Sequence, residues 1–504
     1  MKAIKSALVS VYHKEGLEKV VKVLMERGVR LYSTGGTAKY MEGLGAEVAE
    51  VADLTGYPSI LGGRVKTLHP KVHGGILARR SNEEDVKTLA EYEIPEIDLV
   101  IVDLYPFEET VASGAEEHAI IEKIDIGGIA LIRAAAKNFE DVCCVASAEY
   151  YEELAHLLEN QNGQLSLEQR KYFAGQAFDV SSHYDTQIQS YLNPSSNQLK
   201  LSIRSPKQLR YGENPHQNGY FYGNLDDVFE QLNGKELSYN NLVDIEGALQ
   251  LVDEFNDVAF FAIIKHTNPC GCAIGRDLKE AWHRALEGDP VSAFGGILAC
   301  NGKIEKDLAE EINKLFYEVL IAEDFSDEAL EILRSKKKRI VLKRISKDSH
   351  SRIIKSAING FLVQDKDMAK TNPQDFDVKS SRKPTEFELS DVVFGDLVCK
   401  HLKSNAIALV KNGQLIGSGV GQTSRIDALN QAIHKAEARG FDLNGSVLAS
   451  DAFFPFADSV EMAFKKGIDV VVEPGGSVRD EDTINFCESH GMCLIFTGMR
   501  HFKH

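Results

Sequence analysis

Cysteine at metal or redox spacing is what this sequence most plainly lacks. Its eight cysteines, at 143, 144, 270, 272, 300, 399, 487 and 493, include no Cys-x-x-Cys pair, so free thiols in a reducing cytoplasm are expected. Proline is scarce, 13 residues in 504, beside 40 glycines, 43% hydrophobic and 26% charged residues. That balance excludes extensive disorder. Positive charge is in deficit: 57 basic residues face 75 acidic ones, a net of −18. The deficit argues against a nucleic-acid surface or an anionic membrane partner. Small anionic substrates stay open, because a pocket can gather lysines whatever the total charge. No apolar stretch approaches the ~20 residues that span a bilayer. The start, MKAIKSALVSVYHKEGLEK, has too short an apolar core for a signal peptide. A cytoplasmic protein is expected, with more than one core, since single cores stop growing near ~250–300 residues.

The pattern along the chain is strand alternating with helix. Ser6 to Tyr12, Arg30 to Ser33, Ile97 to Leu104 and Val142 to Ser147 read as strands. Leu17, Val20, Val21, Leu24 and Met25 recur at helical spacing between the first two. This alternation predicts a parallel sheet over the first 150 or so residues. Helical patterns follow from about 149 to 191, then the turn-rich Asn193-Pro-Ser-Ser-Asn-Gln198, a candidate linker. The expected domains are therefore 1–195 and 196–504. In the second, Asn412-Gly413 signals a hairpin. Lys336 to Arg339 reads as a solvated helix end, and 364–386 as an exposed connection.

Residues 258–275, VAFFAIIKHTNPCGCAIG, carry the most informative pattern. Ala259 to Ile264 suits a buried strand of a parallel or mixed sheet, followed by Asn268-Pro269 and glycine-rich turn chemistry. Functional groups gather at the carboxyl ends of such strands. Here that end presents Lys265 and His266, a group that holds negative charge beside one that exchanges protons near neutrality. Alone, the pair reads equally well as a strand that ends in polar residues.

Other motifs point the same way. Ser33-Thr34-Gly35-Gly36-Thr37 sits where a strand meets a helix and could donate to phosphate oxygens, with Ser10 and Lys14 nearby. Gly62 to Gly75 contains Arg64, Lys66, Thr67, His69 and His73, which suits a loop around an anion. His69 and His73 have metal-ligand spacing on a helix begun by Pro70, yet no third ligand accompanies them, so no metal is expected. Asp125-Ile-Gly-Gly128 and Lys137 flank an apolar stretch. With Lys66 they could move protons and hold charge; the bland alternative is a surface salt bridge. Arg210, Tyr211 and His216 bracket a turn suited to phosphate and ring recognition. Ser292-Ala-Phe-Gly-Gly296 is another close-approach turn. Phe453, Phe454 and Phe456 around Pro455, with Asp458 following, either pack as core or line a pocket for a flat heterocycle. A zinc deaminase is rejected, because Pro269-Cys-Gly-Cys272 has the wrong cysteine spacing and His-x-Glu occurs only at His13-Lys-Glu15.

These motifs, with Leu104-Tyr-Pro-Phe107, Arg133-Ala-Ala-Ala-Lys-Asn138 and the basic end Met499 to His504, resemble one family along nearly the whole chain. It is the bifunctional purine-biosynthesis family that joins aminoimidazole-carboxamide ribonucleotide (AICAR) formyltransferase to inosine-monophosphate (IMP) cyclohydrolase. The resemblance implies an α/β chain: a methylglyoxal-synthase-like parallel-sheet domain, then a zinc-free, cytidine-deaminase-like domain in two subdomains. It implies that the 5-amino group of AICAR attacks the formyl carbon of 10-formyltetrahydrofolate. His266 would be the base, Lys265 the charge stabiliser, and Asn405 would position the formyl oxygen. Arg210, Tyr211, His216, Arg425 and Arg500 match nucleotide or phosphate positions, while Phe453, Pro455, Phe456 and Asp458 match the folate pocket. In the first domain the formylated product, FAICAR, would close to IMP with loss of water. Lys66, Asp125 and Lys137 would move protons there, with Tyr105 nearby. Ser10, Lys14, Ser33, Thr34, Gly35, Gly36, Thr37, Arg64 and Thr67 would hold the phosphate and the oxyanion. The resemblance further implies a homodimer with formyltransferase sites across its interface, and no metal in the chemistry.

Three positions depart from the family pattern: Asp103 where asparagine is usual, His13 where aspartate is common, and Glu323 where proline is usual. The first could alter hydrogen bonding in the cyclohydrolase pocket. Two further readings follow, a weakened cyclohydrolase, or a first domain that only binds nucleotide as a regulatory module. The three proton-moving groups favour catalysis, because a pure binding pocket needs no such shuttle.

Overall fold

In the computed structural model, which describes residues 1–204, 206–347 and 351–504, the chain forms two compact units, Met1–Arg204 and Ser205–His504. The first holds a five-stranded sheet in the order Val48–Glu50, Arg30–Ser33, Ser6–Ser10, Leu99–Val102, Cys143–Val145. Every neighbouring pair is parallel, as the strand–helix alternation predicts. Strands covered on both faces must be apolar throughout, and Ala7, Leu8, Val9 and all of Leu99–Val102 are buried. The helix Leu17–Glu26 lays Leu17, Val20, Val21 and Leu24 on the same core at one-face spacing. Val48–Glu50 leaves no signal in the sequence, being three residues long and half-buried. The helical stretch from 149 resolves into Tyr151–Asn160 and Leu167–Leu192.

The first unit continues past the expected end at 195. Ser202 meets His183 Nδ1 at 2.8 Å, and Arg204 pairs with Asp179 at 2.8 Å and Glu149 at 3.3 Å. These contacts return the segment along the long helix and keep it with the first core.

The second unit is built on a 12-stranded mixed sheet. Its two halves repeat one order. The first runs helix Tyr239–Val252, hairpin Ala259–Lys265 with Asn268–Gly275, helix Leu278–Gly288, then strands Gly296–Cys300, Tyr317–Ala322 and Ile340–Arg344. The second runs helix Glu386–Lys400, hairpin Ile407–Lys411 with Gln414–Gly419, helix Arg425–Ala438, then strands Val447–Ser450, Val470–Glu473 and Cys493–Phe496. Each hairpin is antiparallel and each strand trio parallel. Ala273 paired with Gln414 joins the halves at the centre. These are the two subdomains expected, and the Asn412-Gly413 hairpin is present.

Three local expectations are corrected. The glycine-rich Asn268–Gly275 is a strand where turn chemistry was expected, while the strand before it is the buried strand of a mixed sheet that was expected. The pairing slips between Ile263 and Ile264, opposite Pro269, so the bulge accommodates the proline inside the sheet. Lys336 to Lys338 are exposed, but Arg339 is buried, its guanidinium 4.7 Å from the Tyr317 ring centroid and 2.9 Å from Asn313 Oδ1. A hairpin, Arg352–Ala357 with Gly360–Asp365, takes the first residues of the expected 364–386 connection.

Gly271 shows how tightly the central hairpin packs. A Cβ there would run into the Ala285 carbonyl oxygen of the helix above, and backbone cannot swing aside as a side chain can. Gly271→Val should lower the unfolding free energy by at least about 2 kcal/mol in a denaturant titration. An unchanged midpoint would contradict this packing.

Candidate active sites

The first unit contains a cavity of about 770 Å³ at the carboxyl ends of Ser6–Ser10 and Leu99–Val102. Ser10, Lys14, Thr34, Gly36, Thr37, Arg64, Lys66, Thr67, Tyr105 and Asp125 all line it. Strand ends bring them together because parallel strands present their loops on one side. Thr34 stands at the N-cap position of the helix Gly35–Gly43 without a side-chain capping bond, and Gly35 at φ +49° takes a backbone turn that glycine adopts freely. The helix therefore opens at the cavity wall with its unpaired N–H groups, a natural seat for a phosphate. Thr37 Oγ1 donates to the Val11 carbonyl at 2.9 Å and Ser10 Oγ lies 3.4 Å from Thr34 Oγ1, which fixes the cradle. Ser33 stands behind it, fully buried, its hydroxyl donating to the Val9 carbonyl at 2.6 Å. Arg64 is ion-paired with Glu122 on the rim.

Asp125 is a perturbed group in this cavity. Burial raises its carboxyl above the ordinary value, against the Gly128 N–H at 2.6 Å and the charge of Lys66. The negative charge of Asp103 adds to the rise. Tyr105 is also raised, by burial and then by the Asp125 charge, so the two face one another. The Asp125 N–H donates to the Tyr184 hydroxyl at 2.8 Å, which holds the loop in place.

Lys137 is not brought to this cavity. It ends the helix Gly127–Lys137 whose first turn carries Gly127 and Gly128 at the Asp125 site. A rise of ~1.5 Å per residue puts the two ends of that helix roughly 15 Å apart. Lys137 lines instead a second, apolar cavity of about 740 Å³ with Arg133, Lys171 and Phe178. His73 lines that cavity as well, while His69 caps the helix Pro70–Leu77, its Nδ1 accepting the Lys71 N–H at 3.1 Å. Among the described residues no group of three His, Cys, Asp or Glu side chains is arranged to hold a metal ion.

In the second unit Lys265 ends its strand and pairs across the ladder with Asn268, so His266 and Thr267 form a two-residue turn. Both have positive φ, +51° and +65°, a region that side chains and above all β-branched ones resist. Hydrogen bonds from several elements hold the turn and its strand ends. The Thr267 N–H donates to Asp244 Oδ1 at 2.7 Å, Asn268 Nδ2 donates to the His266 carbonyl at 2.7 Å, and Lys265 Nζ donates to the Phe294 carbonyl at 2.6 Å. The Lys403 N–H donates to Asn268 Oδ1 at 2.9 Å. His266 is left exposed.

From Lys403 a network of contacts continues through the second half. Asn405 Nδ2 donates to the Gln422 carbonyl at 3.0 Å, and its Oδ1 accepts from Arg425 Nη2 at 2.8 Å. Arg425 is buried and also donates to Ser450 Oγ at 3.0 Å and to Asp451. Its guanidinium thus holds Asn405 against the Ser450–Asp451 strand end. The His501 N–H donates to the Asp451 carbonyl at 3.1 Å, which places Arg500 beside this cluster. The phenylalanine motif divides: Phe454 is fully buried core, whereas Phe453 and Phe456 are 37% and 50% exposed with Pro455 exposed between them. Asp458, also exposed, starts the helix Asp458–Lys465. Arg210, Tyr211 and His216 lie on the loop between Lys207–Leu209 and Gly219–Phe221, where Arg210 Nη2 donates to the Tyr211 hydroxyl at 2.8 Å.

Asp244 is the supporting residue that sequence reasoning overlooks. It and Gly247 lie one helical turn apart on Tyr239–Val252, and a Cβ at Gly247 would meet the Thr267 carbonyl at 3.3 Å. An aspartate and a glycine three apart within an apolar helix are the only signal.

Fold and sites together define a two-part α/β enzyme whose candidate catalytic groups stand at strand ends. A family model described as AICARFT/IMPCHase bienzyme matches residues 135–435, and one described as MGS-like domain matches residues 16–130. Relatives named bifunctional purine biosynthesis protein PurH align end to end. That of Bacteroides thetaiotaomicron is 57% identical over 100% of this chain and 99% of its own. Those of Aquifex aeolicus and Caldicellulosiruptor saccharolyticus are 46% and 44% identical, each over 99% of this chain and 100% of their own. A solved structure titled "Crystal structure of ForH" is 37% identical over 38% of this chain and 99% of its own, with a TM-score of 0.34. The chain belongs to the AICARFT/IMPCHase bienzyme family.

Asp244→Ala should leave the Thr267 N–H without its partner, a loss of about 1–3 kcal/mol at the turn. Formyltransferase turnover is expected to fall at least about tenfold, and less in Asp244→Asn, which keeps an acceptor oxygen. Equal turnover in wild type and Asp244→Ala would remove Asp244 from this role.

Proposed function

We propose that the two units divide the last two steps of IMP synthesis between them. The second unit transfers a formyl group from 10-formyltetrahydrofolate to the 5-amino group of AICAR. The first closes FAICAR to IMP with loss of water. The observation that carries this reading is the half-buried Asp125, its carboxyl raised above the ordinary value by desolvation, in one cavity with Lys66, Tyr105 and a helix-end phosphate cradle.

In the second unit His266 takes the amine proton as the new C–N bond forms, and Lys265 holds the tetrahedral oxyanion. The bond to the folate nitrogen then breaks, and the proton returns to that nitrogen. Asn405 positions the formyl oxygen, and Arg425 acts through Asn405 as a positioning residue. Arg210, His216 and Arg500 supply charge for the nucleotide phosphate, with Tyr211 against the ring. Exposed Phe453, Pro455 and Phe456 offer a flat apolar face to the folate, with Asp458 at its edge.

In the first unit the carboxamide nitrogen attacks the formyl carbon. Asp125, as the carboxylate, takes the amide proton as the C–N bond forms, and Lys66 with Tyr105 holds and protonates the oxyanion; the C–O bond then breaks as the formamido nitrogen gives up its proton to form the ring C=N, and the oxygen leaves as water. Ser10, Lys14, Thr34, Gly36, Thr37 and Thr67 seat the phosphate. Lys137, on its own cavity, takes no part in these proton transfers. A purely regulatory first unit would require only that seat, and the Asp125–Lys66–Tyr105 group favours catalysis over it. The protein works as a cytoplasmic homodimer, with the exposed groups of the formyltransferase site lying towards the interface. Among the described residues no helix is long and apolar enough to cross a membrane.

The test uses the full chain supplied with FAICAR, following purine-ring absorbance. Asp125→Asn and Lys66→Ala should each slow cyclisation by about 10²–10⁴-fold while formyl transfer persists. Wild-type cyclisation in both variants would overturn the reading. Because burial raises the Asp125 carboxyl, cyclisation should fall with falling pH from a midpoint above the ordinary carboxylate value, since the base is lost on protonation.

A further inference from the structure

Lys265 Nζ donates to the Phe294 carbonyl at 2.6 Å, so the loop Asp289-Pro-Val-Ser-Ala-Phe-Gly-Gly296 sets where that amine stands. A lysine side chain is long and flexible, and a group that is to meet developing charge must be held in advance. Gly295, at φ +70°, lets the loop pass close to it; a Cβ there would lie 3.4 Å from Lys265 Nζ. Val291 and Phe294 on this loop are exposed, whereas Asp289 at its start is buried. Asp289 Oδ2 accepts the Ser292 hydroxyl at 2.7 Å, and Oδ1 accepts the Ser292 N–H at 3.1 Å. The Asp289 carbonyl accepts the Ala293 N–H at 3.1 Å. Oδ1 also accepts from Arg439 Nη2 at 2.6 Å. Arg439 lies 150 residues away in the chain, just past the end of the helix Arg425–Ala438 in the second half. That helix begins with Arg425, which holds Asn405 at 2.8 Å. One helix thus touches the supports of both Lys265 and Asn405.

We propose that Asp289 and Arg439 are positioning residues of formyl transfer: the pair fixes the 289–296 loop, and the loop holds Lys265 through the Phe294 carbonyl. The proposal rests on Lys265 being the group that holds the tetrahedral oxyanion. Both partners act through Lys265, and the support is one chain of contacts, from Arg439 to Asp289, from Asp289 to Ser292 and Ala293, and from the Phe294 carbonyl to Lys265. The far end of the loop is pinned separately. There the Gly295 N–H donates to the Phe316 carbonyl at 2.8 Å and the Gly296 N–H to the Ala293 carbonyl at 3.0 Å. As a source of stability the ion pair counts for little, because the Arg439 side chain remains partly open to solvent. What it does is tie a loop of the first half to a helix of the second. Without Arg439, Asp289 keeps a buried carboxylate with only Ser292 to satisfy it. The start of the loop then shifts while its end stays, and the Phe294 carbonyl moves between them.

The test measures formyl transfer and FAICAR cyclisation by the full chain. Arg439→Ala should lower the kcat of formyl transfer by about 10–100-fold, as a misplaced group does, with both KM values within about twofold of wild type. Cyclisation should stay at the wild-type rate. Arg439→Lys, which returns a cation to the contact, should recover at least about threefold over Arg439→Ala. A Lys265→Met background separates positioning from a general structural role: there Arg439→Ala should cost less than about twofold, because the group it places is gone. An unchanged kcat in Arg439→Ala would overturn the proposal, and so would an equal loss in both backgrounds. Should Arg439→Ala fail to fold, Asp289→Asn is compared in the same two backgrounds with the same criteria. Where Lys265→Met turns over too slowly to compare, Arg439→Lys decides, and no recovery overturns the proposal. Wild-type transfer by Lys265→Met would instead sink the reading of Lys265 beneath it.

Discussion

The turn His266–Thr267 closed on Asp244 is the constraint that the formyltransferase half depends on. A left-handed conformation costs a residue with a side chain about 1–2 kcal/mol, and here two occur in succession. The Asp244 and Asn268 hydrogen bonds offset that strain, and Gly247 lets the helix approach close enough to make the first of them. The repeat in the second unit supplies its own comparison. The matching hairpin turns at Asn412-Gly413, also with two positive φ values, and Asp391 accepts both N–H groups of that turn. Asparagine and glycine adopt this turn readily. The same scaffold thus carries an unstrained pair in one half and an imidazole beside a β-branched residue in the other. Strain is stored where the chemistry is assigned.

The two sites solve proton transfer differently. His266 stands exposed on a turn held by the Asp244 and Asn268 hydrogen bonds. Asp125, the base proposed for the other site, is a carboxyl raised above its ordinary value, first by burial and to a lesser degree by the Asp103 charge. Lys66 opposes that rise. The phosphate seat proposed for the first unit is a helix end, which requires no net positive surface on a chain of net charge −18.

Much of this was legible in the residues. The parallel sheet followed from strands alternating with helices, and Lys265-His266 from an apolar run that ends in two ionisable groups. What was not legible depends on three-dimensional proximity. Asn268–Gly275 reads as turn chemistry because its proline and glycines are turn residues, yet a bulge and a close helix explain them in a strand. Lys137 reads as a partner of Asp125 because both border one apolar stretch, but that stretch is a helix, and it carries the lysine to another cavity. Phe454 and its neighbours differ only in which way each ring faces, information that no spacing of three aromatics contains. Asp244, far from the turn in sequence, meets it only after the helix docks.

The most direct test of two separate sites in one chain is His266→Ala measured for both reactions in the same preparation. Formyl transfer should fall by about 10²–10⁴-fold, and cyclisation of supplied FAICAR should stay at the wild-type rate. Unchanged formyl transfer, or a parallel loss of both activities in a folded protein, would contradict the account.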